Sequence, residues 1–141
     1  MMHKMMAVAV VLLLGADAAK DDSSKLQGTW QAVSSNKGGH DDADANQHSM
    51  TFEKDTVVIK RGDQVILKGT FKLDAAKSPK HIDIDIEEGP DKFKGKSGHG
   101  IYELKDDTLK WAVAEPGETD RPTGFGSTEG TKNMVVSLKK K

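Results

Sequence analysis

Histidines mixed with carboxylates are the residues of this sequence with the clearest metal-binding chemistry. One polar stretch holds His40, Asp41, Asp42, Asp44 and His48. Imidazole and carboxylate groups together suit zinc or manganese better than calcium. Their spacing matches no established ligand frame, and the central glycine and terminal glutamate of an EF-hand are absent. We therefore expect a solvated acidic loop and no metal site, and a metal-dependent hydrolase is the least favoured functional alternative.

Two further patterns bear on catalysis or phosphate binding. Gly95-Lys96-Ser97 is similar to the end of a phosphate-binding loop. Pro90 stands where that loop needs its first glycine, and no helical pattern follows that would present its N-terminus to phosphate. The sequence contains no cysteine and no G-x-S-x-G elbow, so neither a thiol nor an elbow serine is available as a nucleophile. We reject both the phosphate loop and covalent catalysis.

The remaining candidates for acid–base chemistry lie on a predicted strand. Asp83 and Asp85 share one face at spacing i, i+2, about 7 Å apart by strand rise. Acid–base catalysis requires one carboxyl to be desolvated, whereas an alternating strand leaves both in water. His81 and His99 are isolated in the sequence. We expect no catalytic residue, no enzymatic activity and no cofactor.

A two-residue hydrophobic period dominates the chain and predicts the fold. In the clearest case Ile82, Ile84 and Ile86 alternate with polar residues, as in an antiparallel strand that is wet on one face. Gln64–Leu73 alternates in the same way, with Val65 on the apolar face and Gly69 as a candidate bend. The predicted strands are Leu26–Ser34, His48–Glu53, Thr56–Arg61, Gln64–Leu73, Lys80–Glu87, Gly100–Lys105, Thr108–Ala114 and Met134–Lys140.

Short turns join these strands, so they form a meander. Gly-Asp at 62–63 and Asp-Asp at 106–107 are typical of tight hairpins. Eight such strands can close on themselves and remove their exposed edges. The prediction is an all-β, eight-stranded antiparallel up-and-down barrel of the lipocalin-like kind, with loops at 36–47, 89–99 and 115–131. The expected interior residues are Trp30, Phe52, Ile59, Leu67, Phe71, Ile82, Ile84, Ile86, Leu104, Leu109, Trp111, Val136 and Leu138.

The first 18 residues have the features of a secretory signal peptide. His3 and Lys4 precede an apolar run, Met5–Leu14, and Ala16-Asp17-Ala18 offers small residues for cleavage near Ala18 and Ala19. Ten apolar residues are too few to span a bilayer as a helix. We expect one secreted or periplasmic domain at 19–141, without an integral membrane segment after cleavage.

Charge and cysteine content limit the possible partners. Lysine and arginine number 21 against 22 acidic residues, which leaves a net charge of -1. Nucleic acids and anionic lipids require a positive excess, so neither is the expected main partner. With no cysteine, the domain must be stable without disulfides.

Several motifs resemble a small secreted domain that is abundant in planctomycete genomes and is described as a lipocalin-like domain of unknown function. They occur in matching order over nearly all of the chain after the signal. These motifs are Leu26-Gln27-Gly28-Thr29-Trp30, Gly69–Asp74, Lys77–Asp83, Gly100–Leu104, Asp107–Lys110, Pro116-Gly117, Arg121-Pro122-Thr123 and Phe125. The family often has a cysteine where this chain has Trp111 or Ala112. The resemblance implies the barrel fold and no particular activity.

Gly28 and Trp30 are structural candidates, and Arg121 is the most distinctive cation. In lipocalin-like barrels the tryptophan of the first strand crosses the closed end, and a late arginine stacks on it. Arg121 lies between Asp120 and Pro122. We favour stacking on Trp30 or a surface ion pair, and the alternative is a clamp for a ligand carboxylate or phosphate.

Tyr102 and Trp111 are candidate lining groups of a ligand cavity, because each combines an apolar ring with a polar tip. The alternative is that both are plain core residues. An eight-stranded barrel is either filled by side chains or wide enough for one small ligand. The leading hypothesis is an exported, non-enzymatic barrel that binds a small apolar ligand or a lipid, with Arg121 or Tyr102 orienting its polar end. The main alternative is a protein-interaction module of the cell envelope.

Overall fold

A computed structural model describes residues 18–126 and 133–141. Residues 18–26, called the plug helix below, are α-helical, and a 3-10 turn covers Ala45–Gln47. The predicted signal peptide falls almost entirely outside the described residues. The strands are β1 (Gly28–Lys37), β2 (His40–Asp41), β3 (His48–Glu53), β4 (Thr56–Arg61), β5 (Gln64–Asp74), β6 (Lys80–Glu88), β7 (Ser97–Lys105), β8 (Thr108–Val113) and β9 (Met134–Lys140).

The sheet closes into a barrel. From β3 to β9 each strand pairs antiparallel with its neighbour in the chain, and β1 pairs with both β3 and β9. The β1–β9 register runs from Trp30 opposite Lys140 to Lys37 opposite Met134. Strand β2 is a short addition that pairs with the end of β1. The predicted eight-stranded antiparallel barrel is confirmed, with this one extra strand.

All of the predicted strands are present, but some of them begin or end at other residues than predicted. Leu26 ends the plug helix, so β1 begins at Gly28, whose φ of +112° turns the chain from helix to strand. The plug helix was not predicted, because period two dominates the sequence and the helix is short. Strand β7 begins at Ser97 instead of Gly100, since the 89–96 loop is shorter than its composition suggests.

A bulge in β5 corrects the prediction for Val65. Ile59 pairs with Leu67 and Lys60 with Val65, so Ile66 is an extra residue that reverses the alternation. Val65 consequently points to solvent and is 48% exposed. A second register shift in β1, between Ala32 and Ser34, accompanies the 54% exposure of Val33.

One apolar core fills much of the barrel. All of the interior residues predicted from the sequence belong to it, although Ile59, Leu67 and Leu104 are only partly buried. Phe52 and Phe71 meet edge to face, with ring centroids 5.1 Å apart. Burial of these side chains, at roughly 1.5–3 kcal/mol each, is the main stabilising contribution.

The plug helix closes one end of the barrel through buried polar contacts. Trp30 is fully buried, and its Nε1 donates to the carbonyl oxygen of Leu26 at 2.8 Å. The Asp22 carboxylate is 6% exposed and accepts hydrogen bonds from the Tyr102 hydroxyl at 2.7 Å and from Lys80 Nζ at 2.8 Å. These contacts satisfy groups that would otherwise be buried without partners. The plug helix is thus fastened to the barrel by hydrogen bonds from Trp30, Tyr102 and Lys80.

A substitution at Gly69 can test the close packing of β5 on β6. A Cβ at this position would overlap the carbonyl oxygen of Asp85. We expect Gly69→Ala to lower the free energy of unfolding by about 1–3 kcal/mol, because backbone must move to accept the methyl group. Urea denaturation measures the change. Gly124→Ala is the control, since apart from its chain neighbours no heavy atom of residues 18–126 or 133–141 lies within 4 Å of a Cβ at this position. Equal stability of the two variants would contradict the packing described here.

Candidate functional site

A cavity of about 240 Å³ occupies the end of the barrel opposite the plug helix. It lies where β1, β4 and β8 end and where β3, β5 and β9 begin. Its wall is mostly apolar, and Phe93 and Pro90 reach it from the 89–96 loop. The remaining lining residues are Ala32, Ser35, Asp42, His48, Ser49, Met50, Ile59, Ile66, Leu67, Trp111, Met134, Val136 and Leu138.

A second hollow of about 130 Å³ adjoins the first. It extends toward β6 and β7 and is lined there by Ile84, Ile86 and Gly98. The two hollows have five lining residues in common, so we describe them as the larger and the smaller lobe of one two-lobed cavity. The shared residues are Ile59, Leu67, Phe93, Trp111 and Met134.

Small residues on the inner wall explain why the space remains open. Gly98 and Gly100 take successive inward positions on β7, opposite Ile84 and Ile82 in the register. A Cβ on Gly100 would lie 2.5 Å from the Ala112 carbonyl oxygen, so only glycine fits beneath the Trp111 indole. Gly98, in the smaller lobe, and Ala32, in the larger one, are the small lining residues that leave space where a filled barrel would have larger side chains.

Polar side chains of the larger lobe are grouped at one edge. We call Ser35, Asp42, His48 and Ser49 the polar rim, since they lie at the end of β1, in the following loop and at the start of β3. In the smaller lobe the charged lining residues are Lys37 and Glu115. A ligand in this cavity would meet apolar walls in the interior and hydrogen-bonding groups at the mouth, which is the common design of small-molecule sites.

Trp111, one of the three residues predicted to contact a ligand, lines both lobes. The residue is 5% exposed, and its Nε1 is buried with no hydrogen-bond partner in the described part of the chain. Trp30, in contrast, donates its Nε1 hydrogen to Leu26. A buried donor without an acceptor costs about 1–3 kcal/mol, so this position is a local cost within an otherwise satisfied core.

Tyr102, the second predicted contact, lies at the other end of the barrel. Its hydroxyl is bound to Asp22, and Lys80 Nζ lies 5.9 Å from its ring centroid. Burial and the adjacent Asp22 carboxylate raise the pKa of Tyr102 far above its ordinary value. Tyr102 lines neither lobe. Its polar tip anchors the plug helix.

Arg121, the third predicted contact, lies on the outside of the wall. Its guanidinium pairs with Asp83 at 2.8 Å and donates to the carbonyl oxygen of Gly100 at 2.7 Å. Of the two favoured interpretations of Arg121, the ion pair is present and the stacking on Trp30 is not: the cation over that indole is Lys140, with Nζ 5.6 Å from the ring centroid. Arg121 is in a loop and not in a late strand, so it cannot take the position that the barrel pattern suggested.

Asp83 contacts both His99 and Arg121, which the sequence did not connect. His99 Nδ1 lies 2.8 Å from Asp83 Oδ1, the oxygen that also contacts Arg121. The expectation that His99 is isolated is therefore wrong, because the β6–β7 register places it directly opposite Asp83. Partial burial opposes ionisation of Asp83, but hydrogen bonds from His99 and Arg121 outweigh it and hold its pKa below the usual value of 3.8. This cluster fastens the loop after β8 to the barrel wall.

The acidic stretch between β1 and β3 is occupied by local contacts. Asp41 accepts a hydrogen bond from Asn36 at 2.7 Å, and Asp44 pairs with Arg61 at 3.1 Å. Asp42 Oδ1 accepts the backbone N–H of Asp44 at 2.9 Å. Within residues 18–126 and 133–141, no three histidine, aspartate or glutamate side chains are grouped so that they could hold a metal ion.

Comparisons with models of known protein families, with curated proteins and with solved structures find no match to this chain. Among the described residues, no helix is both long enough and apolar enough to cross a membrane.

The two tryptophans form a matched pair for measuring the buried N–H groups. Trp30→Phe removes a bonded donor and leaves the Leu26 carbonyl unsatisfied, whereas Trp111→Phe removes a donor that has no acceptor among the described residues. Both variants lose similar volume. We expect Trp30→Phe to be less stable than Trp111→Phe by about 1–2 kcal/mol in urea denaturation followed by circular dichroism. Trp111→Phe as the less stable variant would contradict the assignment of partners.

The ion pairs of Asp83 predict a dependence of stability on pH. Because its folded-state pKa is lowered, Asp83 stabilises the protein above pH of about 4, and this contribution is lost as the pH falls through the folded-state value. At neutral pH the free energy of unfolding of Asp83→Asn should be lower than that of wild type, and this difference should shrink as the pH falls. The change should be less than about 1 kcal/mol, because the pair is partly exposed. Asp91→Asn, in the exposed 89–96 loop, is the control. A difference in the free energy of unfolding between wild type and Asp83→Asn that does not change with pH would contradict the lowered pKa.

Proposed function

We propose that the protein is an exported, non-enzymatic carrier or sensor that binds a small, largely apolar molecule in the two-lobed cavity. The observation that carries this proposal is a hollow of about 240 Å³ in an apolar wall, continuous with one of about 130 Å³. An apolar cavity of about 150 Å³ is enough to bind benzene. The larger lobe therefore has room for one or two rings or a medium-length alkyl chain.

Affinity would come from burial of the ligand's apolar surface, at about 25 cal/mol for each Å² removed from water. Phe93 supports this mechanism because it lines both lobes from a surface loop, where it can shield a bound ligand from solvent. The mechanism requires no covalent step. The polar rim, in place of Arg121 and Tyr102, is the group best positioned to orient the polar end of the ligand.

Export and kinship with the planctomycete-type domain family belong to the same proposal. The basic start, apolar run and small residues of the first 18 positions support export, and the shared motifs support the kinship. A stable barrel without cysteine is compatible with an extracytoplasmic carrier.

The proposal is tested by filling the larger lobe. Ala32 is buried and lines the lobe, while its neighbour Val33 points outward. We expect wild type to bind N-phenyl-1-naphthylamine with micromolar affinity, since the dye is uncharged and apolar and its three rings can be divided between the larger and the smaller lobe. The measurement is energy transfer from Trp111, which lines the site.

Ala32→Phe should weaken dye binding by at least about tenfold, because the added ring occupies the lobe, and Val33→Phe should bind as wild type does. Circular dichroism and urea denaturation confirm that both variants fold. A flat titration of folded wild type, or equal binding by both variants, would contradict a ligand site in the cavity.

A further inference from the structure

We propose that the natural ligand carries a hydrogen-bond-donating head, a hydroxyl or a primary ammonium group, and that the polar rim selects against a carboxylate head. This inference rests on the proposed function, since it concerns the head of a ligand whose apolar body occupies the cavity. It is carried by the position of one acidic side chain at the mouth of the larger lobe.

Asp42 sets the charge of the mouth. Among the described residues that line the larger lobe, it is the one carboxylate, and none is a lysine or an arginine. An ionised carboxylate only accepts hydrogen bonds, so it favours a donor head and repels another carboxylate. The Ser35 hydroxyl and the His48 imidazole can each donate or accept and so adapt to either partner.

The position of Asp42 is fixed by its own loop. The backbone N–H of Asp44 binds one of its carboxylate oxygens at 2.9 Å. A carboxylate has about four acceptor positions, so this bond leaves capacity for a ligand. The group is thus held at the mouth before a ligand arrives, which reduces the entropy cost of binding.

The nearby cations are directed elsewhere. Arg61 pairs with Asp44 and donates to Gln47, and both contacts lie in the same loop region as Asp42. Lys37 lines the smaller lobe, where Glu115 is also present. Lys92 lies over the Phe93 ring, 4.8 Å from its centroid, and lines neither lobe. The larger lobe therefore presents a carboxylate to an incoming head group without a cation in its lining.

The test compares three ligands that share one tail. Decanol, decylamine and decanoate compete with N-phenyl-1-naphthylamine for the full chain at pH of about 7.5, where the amine is protonated and the acid ionised. We expect decanol and decylamine to displace the dye at about two- to fivefold lower concentration than decanoate, a range set by partly screened charge at an exposed mouth. The difference should shrink in high salt.

Asp42→Asn keeps an oxygen for the Asp44 N–H and removes the charge. This variant should bring decanoate to within about twofold of decanol and leave decanol unchanged. Asp41→Asn is the matched control: it removes the neighbouring acid, whose carboxylate accepts a hydrogen bond from the neutral Asn36 amide and which lines neither lobe, so it should keep the wild-type preference.

The outcomes separate the two proposals. If none of the three ligands displaces the dye, or if the dye does not bind, the proposed function fails. If decanoate competes as well as or better than decanol in wild type, the carrier proposal stands and the head-group inference is overturned. An unchanged preference in Asp42→Asn overturns the inference as well.

Discussion

Pairing of the first strand with the last is the constraint on which the rest of the structure depends. Strand β1 is divided between two partners: residues from Gly28 to Gln31 face β3, and the length from Trp30 to Lys37 faces β9. This arrangement gives the sheet no free long edge and turns its inner faces toward one common volume. The cavity, its rim and the position of Trp111 are all consequences of that closure. Because β1 and β9 are far apart in the chain, a large loop must close before this pairing is gained.

The two ends of the barrel differ in how their interior is filled. At one end the plug helix supplies Leu26 and Asp22, and the buried polar tips of Trp30 and Tyr102 find partners there. At the other end glycine and alanine replace bulky inward residues, and the Trp111 N–H has no acceptor in the described part of the chain. Buried polar groups with hydrogen-bond partners are typical of the parts of a protein that stabilise the fold. Apolar hollows and unsatisfied donors are more typical of ligand sites.

Much of this fold is readable from the sequence because the strands alternate regularly. The isoleucines at 82, 84 and 86 determine which face of β6 is buried, and a one-residue slip would turn all three outward. The exposure of Val65 could not be predicted from this alternation. A bulge reverses the alternation, and the position of a bulge depends on the pairing with the neighbouring strand. The plug helix escaped detection because its contacts, such as Asp22 to Tyr102, span 80 positions of the chain. The His99–Asp83 contact needed the β6–β7 register, which a long loop leaves undefined in the sequence.

The inward position of Trp111 could be predicted, because it follows from period two on a regular strand. The position of Arg121 outside the wall could not, because loops carry no periodic signal and a resemblance to barrels places an arginine only by analogy. Two members of the polar rim, Asp42 and His48, stood out in the sequence as candidate metal ligands, but their place at a cavity mouth could not be predicted, because the cavity forms only when the sheet closes.

The central claim is that the closed sheet surrounds an apolar hollow at the end opposite the plug helix. A crystal of the protein under xenon pressure tests it most directly, since xenon enters dry apolar cavities without needing polar partners. Xenon density between Phe93 and Trp111, within a ring closed by β1 and β9, is the predicted result. A wall closed in this way but filled by side chains, with no xenon inside, would contradict the account.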